Sequence, residues 1–294
     1  NDWLKLTEGQ WQIPEDLISA FRHVILDESL DMDLRAELLS PPGFEELAAT
    51  LSVIDPVAVE AVRDHYRLQL GLSLQGELHA LYTQLWQQED NSMNGRAYGR
   101  RKLRNVCLWL LMKAKESAVL DACQQQFVQS KTMTDQIASF ALLTNCSDAE
   151  IRKKAVAGFY QQWSLDDLVL DKWFMIQATA EQPNTLEEVR HLLKHPAFSI
   201  KNPNKVRALV GAFCMGNPRN FHEKGGSGYA FLTEMLIALD AINPQMSARL
   251  ATPFTRWQRF DKPRQALMKQ QLEILSKLAL SSDLRELVDK SLIV

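Results

Sequence analysis

Apolar residues recur every three or four positions along almost the whole chain, and no stretch alternates apolar and polar residues as a half-buried strand would. Pro14 opens a helix whose buried face is Leu17, Ile18, Phe21, Val24 and Ile25. Short helices over 31–39 and 44–51 follow, divided by Pro41-Pro42-Gly43. Asp55-Pro56 starts a long helical reach through Val59, Val62, Tyr66 and Leu70 that extends to Trp86 unless Gly71 or Gly76 breaks it. The polar tract 87–94 reads as a loop, and 95–115 as a helix with a basic start and an apolar end. Further helices fit 117–129, 133–143, 148–163, 165–179 and 186–194, where Pro196 stops the last. Near the C-terminus, Pro263 opens a helix carrying Met268, Leu272, Leu275 and Ala279 on one side, and a final helix covers 282–292.

About fifteen helices joined by short turns imply an all-α array of stacked antiparallel pairs. No residue-level repeat of fixed period is present, so the expected architecture is an irregular right-handed superhelix, a solenoid of HEAT or armadillo type. No linker is long enough to force an internal boundary. The reading is therefore a connector over 1–12, with Trp3 and Trp11 free to dock on a neighbour, and one helical domain over 13–294 whose concave side binds.

The stretch 202–260 stands out. It holds the pairs Asn202-Pro203, Asn217-Pro218 and Asn243-Pro244, each a helix start: Asn caps free N–H groups and Pro suits the first helical position. Val206, Leu209, Val210 and Phe213 form one apolar stripe, from which Arg207 is excluded. Gln245 and Arg249 lie four apart and share a helix face. Between these helices, Gly225-Gly226-Ser227-Gly228 leads into a stripe of Tyr229, Leu232, Met235, Leu236 and Leu239. Seven Lys/Arg against three Asp/Glu make the stretch basic.

Composition narrows the class. A chain of 294 residues, 46% hydrophobic, can bury a large core. The longest apolar run, 106–112, is far short of the ~18 residues of a membrane span. The N-terminus has no basic region followed by an apolar core, so no signal peptide is expected, and a start at Asn1 without Met is expected of a domain taken from a longer chain. A net charge of −3 argues against nucleic acid. Cys107, Cys123, Cys146 and Cys214 have no CxxC spacing and read as buried free thiols of a reducing compartment, the cytoplasm.

Four candidate chemistries weaken on inspection. His191 and His195 have the i, i+4 spacing of a helical zinc pair, but Leu192 stands where a metalloprotease helix carries Glu, and Pro196 ends the helix. The Gly225–Gly228 loop precedes a helix yet lacks a preceding strand and a Gly-Lys-Ser/Thr ending, so a close-packing turn is expected instead of a phosphate cradle. Arg96, Arg100, Arg101, Lys102 and Arg104 are interleaved with only one aromatic, Tyr98, and read as a solvated or inter-domain face. No serine or cysteine lies in a nucleophile elbow. No catalytic residue and no metal ligand is assigned within this chain.

The order of Asp171-Lys172-Trp173-Phe174, Gln177-Ala178-Thr179, Asn202-Pro203-Asn204, Gly211-Ala212-Phe213, Asn217-Pro218, Phe221-His222, Gly226-Ser227-Gly228-Tyr229, Asn243-Pro244-Gln245 and Arg249-Leu250 resembles the C-terminal helical domain of the bacterial aminopeptidase N family, zinc-dependent alanyl aminopeptidases. Leu103-Arg104-Asn105, Cys107-Leu108 and Met133-Thr134-Asp135 extend the resemblance upstream, and it runs from about Ile13 to the end. No single motif is specific; their order and spacing are.

The resemblance implies a non-catalytic domain that covers the active site of an enzyme removing N-terminal residues from peptides. It implies that Arg207, Gln245 and Arg249 face the substrate chamber. The family's zinc signature, His-Glu-x-x-His with a later Glu, and its Gly-x-Met-Glu-Asn motif are absent, so zinc belongs to an upstream catalytic domain. The implied partners are that domain and peptide substrates, with no nucleic acid and no membrane. The chain alone is expected to hold no zinc and to cleave nothing. The alternative is a free-standing α-solenoid that binds a protein.

Overall fold

The computed structural model describes residues 13–89, 91–114 and 116–293, so the expected connector over 1–12, with Trp3 and Trp11, lies outside the described residues. The first half of the chain forms α1 (Glu15–Leu26), α2 (Met32–Leu39), α3 (Phe44–Thr50), α4 (Pro56–Ser73), α5 (Gln75–Gln87), α6 (Gly95–Leu111), α7 (Ser117–Gln129) and α8 (Met133–Leu143). Then come α9 (Ala149–Trp163), α10 (Asp167–Ala178), α11 (Thr185–Leu192), α12 (Pro203–Val206), α13 (Ala212–Gly216) and α14 (Pro218–Phe221). The last are α15 (Ser227–Asp240), α16 (Pro244–Leu250), α17 (Lys262–Ser276) and α18 (Ser282–Leu292). A π turn, Arg207–Gly211, joins α12 to α13, and a 3-10 segment, Thr252–Arg259, follows α16. The fold is all-α. Among the described residues the sole β feature is a bridge between Ile54 and Phe260. No helix there is long and apolar enough to cross a membrane.

Two compact units divide the chain, one formed by residues up to Glu46 with Ala61–Phe159, the other by Leu47–Glu60 with Tyr160–Val294. The sequence offered a single stretch over 13–294 because all three boundaries fall inside helices, where no polar linker marks them.

In the first unit, α6 lies against α2 and α5, and α7 pairs with α8. Gly71 marks a close crossing and not a break: a Cβ there would lie 2.6 Å from the Leu110 carbonyl oxygen. The helix break falls instead at Leu74, between α4 and α5. Phe140 and Phe159 stack at 4.5 Å in the core. The arginines of α6 correct the sequence reading. Arg101 and Arg104 are fully buried and Arg100 nearly so, while Lys102 remains partly exposed and pairs with Asp33 and Glu37. Their burial is possible because carboxylates distant in sequence come to meet them. Arg104 reaches Asp135 at 2.6 Å and Glu89 at 3.3 Å, and Arg101 donates to Glu89 at 3.0 Å. Burial raises the Glu89 carboxyl, but hydrogen bonds from Arg101 and from Asn91 N–H, with the charges of Arg104 and Arg101, outweigh it and hold the group below its ordinary value. Asp135 also accepts from Asn105 Nδ2 at 3.1 Å and Thr132 Oγ1 at 2.7 Å, and Gln126 links Asn105 to Tyr82.

In the second unit, α15 packs on α16, and α16 and α17 both pack on α18. Phe213 meets Phe231 and Phe221 edge to face at 5.5 and 6.3 Å. Residues 47–60 are tied in by backbone. Ile54 N–H donates to Arg259 O at 2.7 Å, Asp261 N–H donates to Ile54 O at 3.0 Å, and Arg259 caps the Ala48 and Leu51 carbonyls. His222 lies between the rings of Phe221, Tyr229 and Phe260, with Nδ1 2.9 Å from the Tyr229 hydroxyl. Burial, followed by the charges of Arg264 and Arg256, pushes its imidazole down to about 3.

That depression has a sign. Between pH 6.5 and about 3 the unfolded chain binds a proton at this histidine that the native chain does not. The stability contributed by neutral His222 is therefore complete above pH 6.5 and falls as the solution is acidified, at a limiting slope of about 1.4 kcal/mol per pH unit. His222→Gln should flatten the pH dependence of the urea midpoint between pH 6.5 and 4. A variant that keeps the parent's slope over this range would contradict the assignment.

Candidate functional site

The three Asn-Pro signals each build a helix start as their chemistry dictates. Asn202 accepts from Asn204 N–H, Asn217 from Asn220 N–H and Asn243 from Met246 N–H, and each is followed by Pro at the first helical position. Asn217 does more: buried to 3% exposure, its Nδ2 donates to the Ala178 and Ala180 carbonyls, tying the start of α14 to the end of α10. Lys205 is buried as well. Its ammonium donates to Asp167 O at 2.9 Å, pairs with Asp171 at 2.8 Å and lies 5.9 Å from the Phe174 ring. This pins α12 against α10.

Immediately after that anchor the backbone leaves α-geometry for the π turn Arg207–Gly211. A π turn holds more residues per turn than an α-helix and recurs at functional sites. Ala208, Leu209, Val210 and Gly211 are all buried, and Arg207 alone in the turn is exposed, its Nε 3.3 Å from Pro203 O. The sequence reading of one regular helix here missed the turn, because nothing in Arg-Ala-Leu-Val-Gly signals an i→i+5 bond.

On α16, Ser247 and Leu250 face inward; Ser247 Oγ donates to Leu236 O at 3.0 Å, fixing the helix on α15. Gln245 and Arg249 are exposed on the outward side. The π turn and α16 adjoin: a Cβ on Gly211 would lie 3.9 Å from Leu250 Cδ1. Arg207, Gln245 and Arg249 are thus carried by two touching elements, all exposed. Neither arginine is paired with a carboxylate among the described residues. Two guanidinium groups and a carboxamide left open can take up carboxylate or carbonyl oxygens.

The other candidates resolve into structure. A Cβ on Gly228 would lie 2.3 Å from the Phe221 carbonyl oxygen, and Gly226 is left-handed with φ of 75°. The glycine loop therefore serves a close backbone approach. His195 falls beyond the end of α11, so the i, i+4 face with exposed His191 is not formed. Its Nδ1 accepts from Ala197 N–H at 3.1 Å, and its ring packs on Tyr160, Trp173 and Phe174. Burial, then His191, lowers its pKa. No group of three His, Cys, Asp or Glu among the described residues is arranged to hold a metal. All four cysteines are free and buried, and burial pushes the Cys107 thiol up to about 12. A groove of about 400 Å³ between α1 and α5 is lined by Ile25, Leu81, Arg35 and Glu77. Glu77 there is engaged by Arg22 at 2.8 Å and Arg35 by the Val24 and Ile25 carbonyls.

Comparison with known proteins gives a consistent picture. A family model described as a domain of unknown function, DUF3458_C, ARM repeats, matches residues 2–293. Aminopeptidase N of Escherichia coli K12 is 39% identical over 285 residues, covering 95% of this chain and 32% of that protein. Aminopeptidase N of Haemophilus influenzae is 36% identical over 282 residues, with 96% and 32% covered. Among solved structures, Legionella pneumophila aminopeptidase A in complex with aspartic acid superposes with a TM-score of 0.88 at 29% identity, over 96% of this chain and 34% of that one. The chain spans about a third of the length of the curated relatives it matches.

Proposed function

Because the chain belongs to the DUF3458_C ARM-repeat family and corresponds to the C-terminal third of aminopeptidases N, we propose that it is the non-catalytic cover of a zinc aminopeptidase's substrate chamber. Zinc, its ligands and the reacting groups belong to the part of the polypeptide outside this stretch. This domain limits which peptides enter and holds the far end of those that do. Arg207, Gln245 and Arg249 perform the holding.

The observation that carries this reading is the pair of exposed guanidinium groups without carboxylate partners among the described residues, on two touching elements. Structural arginines of the second unit are engaged by an acid or by distant backbone, as Arg190 is by Glu234 at 2.6 Å and Arg259 by the Ala48 and Leu51 carbonyls. Among the described residues the Arg249 side chain has neither, and that of Arg207 meets only the Pro203 carbonyl four residues back. The four buried free thiols support a reducing, cytoplasmic setting. No observation favours a free-standing scaffold.

The test is made in the full-length enzyme. Arg249→Ala should lower kcat/KM for tri- and tetrapeptides about ten- to hundredfold, the loss of a charge-assisted hydrogen bond of about 1.5–3 kcal/mol. A single-residue chromogenic amide, too short to reach the site, should be cleaved at nearly the parent rate. Equal losses on short and long substrates would remove Arg249 from the chamber.

A further inference from the structure

The helical run that carries the exposed arginine of the π turn also carries an exposed apolar side chain that the holding role does not use. Met215 is 50% exposed at the end of α13. It sits two steps of four residues beyond Arg207, with Gly211 between them. Side chains on a helix lean toward its N-terminus, and Met215 accordingly folds back so that its methyl carbon lies 3.4 Å from the Cβ position of Gly211. Leu250 of α16 approaches the same point at 3.9 Å.

A second exposed methionine is carried by α10, which meets α13. Gly216, next to Met215, places its Cβ position 3.2 Å from Thr179 Cγ2, and Thr179 Oγ1 donates to the Met175 carbonyl at 2.9 Å. Met175 is itself 41% exposed, one turn before Thr179. Exposed methionines are adaptable apolar surfaces, able to repack against side chains of different shape. On the helical run that carries Arg207, and next to the helix that carries Arg249, Met215 complements a ligand with an anionic end and an apolar side chain.

We propose that Met215, seated on Gly211 next to α16 and on the same helical run as Arg207, is the floor of an apolar subsite for the C-terminal side chain of a short peptide. The proposal rests on the reading that Arg207, Gln245 and Arg249 hold the far end of the substrate. It adds the substrate class: peptides of three or four residues with a free carboxylate and an apolar last residue.

The experiment uses the full-length enzyme with Ala-Ala-Leu, Ala-Ala-Glu and the C-terminal amide of Ala-Ala-Leu. Met215→Ser should lower kcat/KM about fivefold for Ala-Ala-Leu and less than about twofold for Ala-Ala-Glu, the scale of losing part of an apolar pocket. Met215→Leu should restore the parent ratio, and a thermal melt of both variants should stay within a few degrees of the parent, since the side chain is half exposed. Amidation should weaken the peptide in the parent and cost nothing further in Arg249→Ala. Equal losses on both tripeptides, or none, overturn the Met215 subsite. If Arg249→Ala still separates long from short substrates in that case, only the subsite falls. If it does not, the holding site itself is wrong.

Discussion

Gly228→Ala is expected to destabilise the second unit by about 3 kcal/mol or more, at the upper end of overpacking effects. The new methyl carbon would lie 2.3 Å from the Phe221 carbonyl oxygen, 2.8 Å from its Cα and 2.9 Å from its carbonyl carbon. These are backbone atoms, and they have nowhere to go. Phe221 is fully buried against Phe213, His222 and Tyr229, and the turn before it is fixed by Asn217 to the end of α10. Urea titration followed by tryptophan fluorescence reads the effect as a lower midpoint. Gly76→Ala provides the contrast: no atom lies within 4 Å of its Cβ position, and Ala there should be neutral or stabilising by up to about 1 kcal/mol. A parent-like midpoint for Gly228→Ala would show that the loop yields where these contacts say it cannot.

Asp135→Asn carries the second large effect, a loss of about 3–5 kcal/mol, because it removes one of the two carboxylates that balance the buried guanidinium groups of Arg101 and Arg104 and leaves them to share Glu89. Asp135 is 2% exposed and its carboxylate is shared by Arg104, Asn105 and Thr132. Arg104 is fully buried, and its remaining contacts are Glu89, the Leu85 carbonyl and the face of Trp86. Removing both charges should cost less than the sum of the single losses, so Arg104→Met with Asp135→Leu ought to show a coupling of at least about 1 kcal/mol. If Asp135→Asn alone costs under about 1 kcal/mol, the network holds no unbalanced charge and the account is wrong.

Much of the fold was legible from local chemistry. The Asn-Pro starts needed only a side-chain acceptor and a fixed φ, and all three cap as expected. The apolar stripes of Val206 to Phe213 and Tyr229 to Leu239 are buried as their spacing predicts. What escaped depends on partners far along the chain. Arg101 and Arg104 look like surface charge until Glu89 and Asp135 arrive, the latter more than thirty residues from Arg101. Gly71 looks like a helix breaker until the Leu110 carbonyl comes against it. In the 3-10 segment Thr252–Arg259 the only apolar spacing is the pair Phe254 and Trp257, both buried, three residues apart and too short a run to stand out as an element. At the candidate site, the i, i+4 relation of Gln245 and Arg249 followed from spacing, whereas the contact of Gly211 with Leu250 joins elements nearly forty residues apart.

The strap formed by Ile54, Phe260 and Arg259 sets an order on biosynthesis. Arg259 reaches back 211 residues to the Ala48 carbonyl, so residues 47–60 leave the ribosome long before the segment that completes their backbone hydrogen bonds exists. At about 5–20 residues per second, they wait on the order of 10–40 seconds. Throughout that interval Leu47, Ala48 and Ile54, all buried in the finished fold, are nascent-chain surface. The first unit, residues up to Glu46 with Ala61–Phe159, can be completed meanwhile, while residues 47–60 wait for their partners. Translation past Asp261 then closes the strap, so the backbone hydrogen bonds of this early segment are completed only after most of the second unit has been made.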